Sequence, residues 1–469
     1  MAVAGSQPGE TPALGHDRIS QDDVTSGDMN LKEIRLEGLR IFTTLFNKLD
    51  GYGDGPMDLA DPVTPGGRPT LQGNGTLLRV NGLDARGCIE CHAMVSAATV
   101  PPRLGIGGVG GANANAIIMP TNIDMRDPDL DGSVSFNGRF ANPPFVFGAG
   151  AVELLAAEMT EDLQALKALA QENPGTPIVL ESKGVTFGTI VADAQGDVDT
   201  SLVEGVNADL VVRPFGRKGE FFSIRDFDIG AMRFHFGMQP VEVFPDEADP
   251  DGDGVENEIL AGELSVLSVF IATLERPFAE PLSQAAEAGF ERFQDIGCAD
   301  CHIPTLETRS TEVKLRHPEQ PTDPSANVFL AIDLTEEPMS FDGNDQGGIA
   351  VPLFADLKRH DMGDELAENF DLVGEQVNRE FTTARLWGIA DTAPFLHDGR
   401  ATTLTEAILS HGGEAQIARD GFAALGPQAT KQILSFLRSL RTPEAPAEAL
   451  QAAPEDQDDE DDEDDDTGS

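Results

Sequence analysis

The chain has 469 residues and a formal net charge of −49, from 81 acidic against 32 basic residues. Such an excess repels phosphate groups, which excludes nucleic acid and anionic membrane surfaces as partners. No apolar run of about 18 residues occurs, so no membrane-spanning helix is expected, and the length allows two to four domains.

Met1 to Gly15 lacks the basic segment and apolar stretch of a secretory signal. Residues 1–27 are expected to form a flexible N-terminal segment. Gly38-Leu39-Arg40-Ile41-Phe42 then sets a glycine and an aromatic residue four apart on an expected helix.

Cys88-Ile89-Glu90-Cys91-His92 comes next, and Cys298-Ala299-Asp300-Cys301-His302 repeats it, so the two motifs use all four cysteines. Cysteines three positions apart present both sulfurs on one side of a short helical turn, where they add to the two vinyl groups of a haem. The histidine that follows is then placed under the iron. A zinc ion shared by two knuckles and a redox dithiol are the alternatives. Zinc knuckles usually lie much closer together, and neither alternative explains a histidine directly after both pairs. Two covalently bound c-type haems are expected, with His92 and His302 as proximal ligands. Covalent haem attachment normally takes place outside the cytoplasm, so a periplasmic or extracytoplasmic location is expected although no signal sequence is present in this chain.

Two loops read D-x-D-x-D-G, at Asp127, Asp129, Asp131 and at Asp249, Asp251, Asp253. Alternate carboxylates around a glycine turn suit calcium, which takes six to eight oxygens. Neither loop has glutamate at the twelfth position. Glu258 is placed to close the second, and Ser133 or Asn137 the first; the alternative is a pair of Asp/Gly turns. Between the loops, Ile178 to Leu180, Val185 to Val191, Leu210 to Val212 and Glu220 to Ile224 read as short strands of a small sheet. Arg213, Arg217, Lys218, Arg225 and Arg233 form a basic cluster for which haem propionates and ordinary salt bridges are competing partners.

Gly289-Phe290-Glu291-Arg292-Phe293, ahead of the second cysteine motif, repeats the pattern at Gly38. Phe270 to Pro277 resembles Phe436 to Pro443, each an apolar helical period followed by proline. Each cysteine motif is thus bracketed by a leading and a closing helix, as in cytochrome c domains. The expected fold is mainly α: two cytochrome c-like haem domains related by internal duplication, at 28–278 and 282–443, the first with a long insertion containing a small β-sheet. Between Glu455 and Asp466 every residue but Gln457 is acidic, so 444–469 is expected to be a disordered acidic tail.

Thr383-Ala384-Arg385-Leu386-Trp387-Gly388, Ala393-Pro394-Phe395-Leu396-His397-Asp398-Gly399-Arg400-Ala401 and Leu404 to Ile408 resemble the second haem domain of the bacterial di-haem cytochrome c peroxidases. FLHDGRA followed by HGGEA, with RPFGRKG and FHFGMQPVE earlier in the chain, is similar to the di-haem peroxidase group often labelled thiol oxidoreductases. In the peroxidases the second haem's sixth ligand, usually methionine, lies fourteen residues after the HDG histidine. Here that position is His411, with His360 and Met362 as alternatives. The resemblance makes Glu242, in Gln239-Pro240-Val241-Glu242, the candidate acid/base. Gln239 is a candidate for orienting peroxide and His235 for a displaceable sixth ligand of the first haem.

Peroxide reduction needs a group that moves a proton from the inner to the outer oxygen before the O–O bond breaks, and a carboxylate within hydrogen-bond reach can do so. The resemblance therefore implies reduction of hydrogen peroxide at the first haem, with electrons passed through the second from a small donor, a c-type cytochrome or a cupredoxin. An electron-transfer cytochrome without peroxidase activity, and oxidation of a protein or organic substrate through high-valent haem, are the alternatives. Trp387, the single tryptophan, is either packing or a relay between haems.

Overall fold

The computed structural model describes residues 9–53, 86–92, 117–122, 137–244, 248–368 and 375–443. Residues 9–27, expected to belong to a flexible segment, are tied down on the rest of the chain. The backbone N–H groups of Ala13 and Leu14 donate to the Asp50 carboxylate, and the Arg18 guanidinium grips Glu263 at 2.5 and 2.8 Å. Leu14, Ile19 and Val24 are buried, the last on a short helix, α1 (Gln21–Thr25).

Helix α2 (Leu31–Thr43) starts at a capping box in which Asn30 and Glu33 satisfy each other's backbone N–H. Its apolar face of Ile34, Ile41 and Phe42 packs on a fully buried helix that appears later in the chain, at Ala261–Ala272. Between them come the hairpin β1 (Ile117–Asn122) with β2 (Asn137–Ala141) and the long helix α3 (Ala149–Glu172). An antiparallel sheet of β3 (Ile178–Ser182), β4 (Val185–Ala192) and β5 (Val198–Val203) follows, and packs on α3. The next helices are α4 (Ile224–Ala231), α5 (Ala261–Ala272) and α6 (Gln284–Asp295). Phe278–Ala279, at the boundary between the expected domains, is a short strand, β6, that pairs with Leu440–Arg441 near the end of the described chain.

Beyond the second cysteine motif the chain forms small two-stranded ladders, among them β7 (Glu312–Arg316) with β8 (Val328–Asp333), and β9 (Arg359–Asp361) with β10 (Glu380–Thr382). Helices α7 (Glu375–Arg379), α8 (Leu404–Leu409), α9 (Gln416–Ala423) and α10 (Pro427–Leu437) complete it. The larger core runs from Leu14 to Trp387 and takes in Leu306, Val313, Ile332 and Leu353, so apolar packing continues across the 277–281 linker. A second core gathers Ala286, Phe293, Phe354, Phe422, Ile433 and Phe436.

This corrects the mainly α expectation of two cytochrome c-like domains: the chain is 34% helix and 15% strand, with several small sheets. The strand content comes largely from long connections whose short β-branched runs pair locally, which helix periodicity does not register. Within the expected sheet, the third strand is Val198–Val203, while Leu210 to Val212 and Glu220 to Phe222 have no strand partner beyond an isolated bridge at Phe221. The Asp127, Asp129, Asp131 loop and the acidic tail lie outside the described residues.

Two helix crossings depend on glycine. A methyl group at Gly38 would overlap the Val266 carbonyl and Phe270 on α5, and one at Gly289 of α6 would overlap the Gln432 carbonyl on α10. Phenylalanines seal both, with Phe42 5.6 Å from Phe270 and Phe290 4.9 Å from Phe436 between ring centroids. Gly38→Ala and Gly289→Ala should each destabilise the fold by about 1–3 kcal/mol, the usual cost of overpacking. Thermal melts should show each variant with a Tm lowered relative to wild type.

Candidate functional site

Both cysteine motifs adopt the same turn. Cys88–Glu90 and Cys298–Asp300 are single 3-10 turns, and the N–H groups of His92 and His302 donate back to the carbonyls of Cys88 and Cys298 at 2.8 and 3.0 Å. Burial pushes the Cys88 and Cys298 thiols up, Cys298 to about 11 with Asp300 adding to the effect.

The histidines are oriented by their Nδ1 atoms. His92 Nδ1 lies 2.7 Å from the Pro144 carbonyl, and His302 Nδ1 lies 3.1 Å from the Phe354 carbonyl. A carbonyl only accepts, so Nδ1 carries the proton and Nε2 keeps its lone pair, the arrangement of a metal-binding imidazole. Burial holds both rings down to about 4, which keeps them neutral.

Each motif histidine has a second histidine beside it. His411, just past the end of α8, directs Nδ1 to the Ala407 carbonyl at 2.8 Å, and its ring centroid is 6.4 Å from that of His302. Two metal–imidazole bonds of about 2 Å, plus the distance from each Nε2 to its ring centre, require roughly this separation for one iron between the rings. His235 is close enough to His92 for its charge to weigh on that ring's protonation. It sits in a π-turn, Met232–Phe236, which Gly237 ends in the left-handed region at φ 70°; such wide turns recur at functional positions. Phe227 of α4 meets His92 edge-on, with centroids 6.3 Å apart.

The other candidates fall as follows. His360 has both ring nitrogens engaged, Nε2 by Asp356 at 2.8 Å and Nδ1 by Glu414 at 2.7 Å, and so has no lone pair to offer iron. Met362 donates its N–H to the Arg379 carbonyl, with its own carbonyl against Gly412, beside His411. Glu242 receives a forked bond from Arg225 at 2.6 and 3.1 Å and lies 3.3 Å from His317 Nδ1. Burial works to raise its pKa, but His317 and Arg225 outweigh this and keep the carboxyl below its ordinary value. Gln239 is buried and its Oε1 has no hydrogen-bond partner.

The basic cluster is dispersed into separate contacts. Arg213 pairs with Asp209, Arg217 with Glu368 and Arg225 with Glu242, while Lys218 donates to the carbonyls of Val377, Asn378 and Glu380. Arg385 is a further buried cation. Its Nη1 reaches the Pro214 carbonyl at 3.3 Å, it has no carboxylate partner among the described residues, and burial lowers it to about 10. The 383–388 motif contained this residue, but nothing in the sequence separated it from the other arginines. Trp387 is buried against Phe341 and Gly148, with its indole N–H unpartnered.

The paired histidines, the motif turns and an unpaired buried guanidinium fit a protein with two haem sites. Residues 260–440 match the model of the family described as "Di-haem oxidoreductase, putative peroxidase". No curated protein matches the chain. Among solved structures, hydrazine synthase of Kuenenia stuttgartiensis is 18% identical over 46% of this chain and 61% of its own, with a TM-score of 0.25. This chain therefore spans about three fifths of that one. A MauG-like protein associated with microbial copper homeostasis is 17% identical over 66% of this chain and 91% of its own, also at 0.25.

The charge state of His360 is testable. Burial opposes its protonation, yet the Asp356 carboxylate, helped by Cys301, raises its pKa to about 11. A pKa raised on folding adds stability that is complete below the unfolded value of roughly 6.5 and is lost as pH climbs through the folded one. His360→Gln should cost about 2–3 kcal/mol at neutral pH, the scale of charge-assisted hydrogen bonds. In denaturant titrations, the gap between wild type and variant should stay constant below pH ~6.5 and narrow from there toward pH ~11.

Proposed function

We propose that the chain is a periplasmic c-type di-haem enzyme that reduces hydrogen peroxide to water at its first haem site. Electrons arrive through the second site from a small c-type cytochrome or cupredoxin. The observation that carries this reading is the donor set: two CxxCH turns, each histidine tied through Nδ1 to a carbonyl and each with a second histidine beside it. Cys88 and Cys91 would hold one haem and Cys298 and Cys301 the other, with His92 binding the iron of the first and His302 and His411 that of the second. The haems supply one-electron redox chemistry that side chains alone lack.

The remaining residues handle peroxide and protons. Reduction of peroxide to water consumes two electrons and two protons. Gln239 Oε1, buried and unpartnered, accepts a hydrogen bond from the peroxide hydroxyl. Glu242, held ionised by Arg225, takes up and returns a proton, and His317 links it to solvent, since that ring is 22% exposed. His235 occupies the distal side of the first site and moves aside to admit peroxide. The second reading, an electron carrier, is favoured by the nearness of His235 to His92, which would close both irons to ligands.

The intact holoprotein should exceed the polypeptide by two haem masses and keep its colour in denaturant, and replacing Cys298 and Cys301 by alanine should remove one haem. Glu242→Gln should leave haem content unchanged and slow peroxide turnover by ~100-fold, the scale for loss of a positioned acid/base. Equal turnover in wild type and variant would remove Glu242 from the mechanism. If neither the oxidised nor the half-reduced wild type reacts with peroxide, the electron-carrier reading holds.

A further inference from the structure

Asn142 directly follows β2, and only Pro143 separates it from Pro144, whose carbonyl receives His92 Nδ1 at 2.7 Å. A proline ring fixes its own φ near −65° and confines the residue before it to extended backbone. Asn142-Pro143-Pro144 is therefore a stiff strut, and where Asn142 is held decides where the carbonyl sits.

Asn142 is held by the FLHDGRA turn, more than 250 positions further along the chain. Its backbone N–H donates to the His397 carbonyl at 2.7 Å, and Nδ2 donates to both the Pro394 and the Leu396 carbonyls, at 2.8 and 3.1 Å. Two carbonyls accept from the two hydrogens of one amide nitrogen, a fork that a carboxylate or a hydroxyl cannot make.

The turn is itself fixed. The Phe395 N–H donates to the Ala401 carbonyl at 2.8 Å and the Gly399 N–H to the Leu396 carbonyl at 3.2 Å. Leu396 has a φ of 73°, a left-handed conformation that a side-chain-bearing residue keeps only where its surroundings enforce it. The His397 ring lies on Phe381 of β10 with centroids 4.3 Å apart, and the Lys218 ammonium is 3.4 Å from the centre of the same phenyl ring. Phe381 pairs across the ladder with His360, whose Nδ1 is 4.0 Å from Cys301 Sγ. The turn thus belongs to the surroundings of the second motif, while the strut it holds ends at the first.

The carbonyl at the end of the strut has a chemical effect. An acceptor on Nδ1–H makes an imidazole a stronger donor through Nε2, and a stronger donor favours ferric over ferrous iron.

We propose that Asn142 is a positioning residue that seats the Pro144 carbonyl against His92 Nδ1, so that the Pro394–His397 turn beside the second motif sets the ligand strength of His92. This rests on the reading of His92 as an iron ligand and is independent of peroxide as the substrate. Loss of the fork frees the strut, the Nδ1 bond lengthens, and His92 becomes a weaker donor.

Potentiometric titration of the holoprotein, followed optically, tests the assignment. The first-site couple is identified as the one that remains when Cys298 and Cys301 are replaced by alanine. Asn142→Ala should move the ferric/ferrous equilibrium of that couple by about tenfold toward ferrous, at the lower end of the usual effect of losing an outer-shell partner, which is about 59 mV for one electron. The second couple should move much less, and the EPR g values of the ferric first haem should change with its potential. Should this variant fail to fold, Asn142→Ser, which keeps the backbone bond to His397 and loses the fork, should shift the same couple in the same direction. Pro143→Gly leaves all three bonds in place but unlocks the strut, and it too should raise the first potential. A lowered Tm with both potentials unchanged, or equal movement of the two couples, marks Asn142 as a fastening only and overturns the proposal. A wild type with two haems that does not turn over peroxide, combined with a shifted first couple in Asn142→Ala, removes the peroxidase reading and keeps this one, whereas a colourless wild type overturns both.

Discussion

The hydrogen bonds from Nδ1 of His92 and His302 to the carbonyls of Pro144 and Phe354 are the constraint around which both sites are organised. Each aims an imidazole that would otherwise rotate about two torsions, and each fixes which nitrogen keeps its lone pair. The acceptors come from distant loops, 52 residues away in both cases. A site of this kind therefore exists only when the long connections of the chain are correctly placed. The small two-stranded ladders that overturned the mainly α expectation serve that placement: β9 and β10 pair across the segment from Phe354 to Arg385, which supplies the second carbonyl and the unpaired guanidinium.

Helix packing sets the distances on which this depends. Gly38 and Gly289 let α2 and α6 approach α5 and α10 until backbone meets backbone, and the phenylalanines beside them fill the remaining space. Because packed interiors have few voids, a shift at either crossing is passed on to the turn that follows α2 or α6 and so to the cysteine motif. Gly87 packs against the Thr44 carbonyl just past the end of α2, which joins the first crossing to the first motif by direct contact.

The acidic excess does not create a uniformly negative interior. Buried carboxylates are met one by one: Glu153 by Arg316 at 2.7 Å, Glu158 by Lys183 and two backbone N–H groups, Glu263 by Arg18. Such pairing matters most inside, where an unpaired charge costs several kcal/mol. Arg385 has no carboxylate partner among the described residues, and it lies near the second site.

The sequence by itself determined the two CxxCH motifs and with them the expectation of two covalently held haems. CxxCH is a local motif, and the turn that lets the sulfurs and the histidine face one group is made within five residues, so Cys88 to His92 and Cys298 to His302 were legible without a fold. His411 was legible through a fixed register from a recognisable motif, and the D-x-D-x-D-G loop through its own short period. What lay between was decided only by tertiary structure. That His360 is locked between Asp356 and Glu414, that Glu242 is gripped by Arg225, that Arg385 meets the Pro214 carbonyl and no carboxylate among the described residues, and that Glu258 reaches Gln239 all depend on contacts between residues 4 to 171 positions apart. Such pairings leave no periodic trace in the chain, because the free energy that selects them comes from burial and mutual desolvation of groups that meet only after folding.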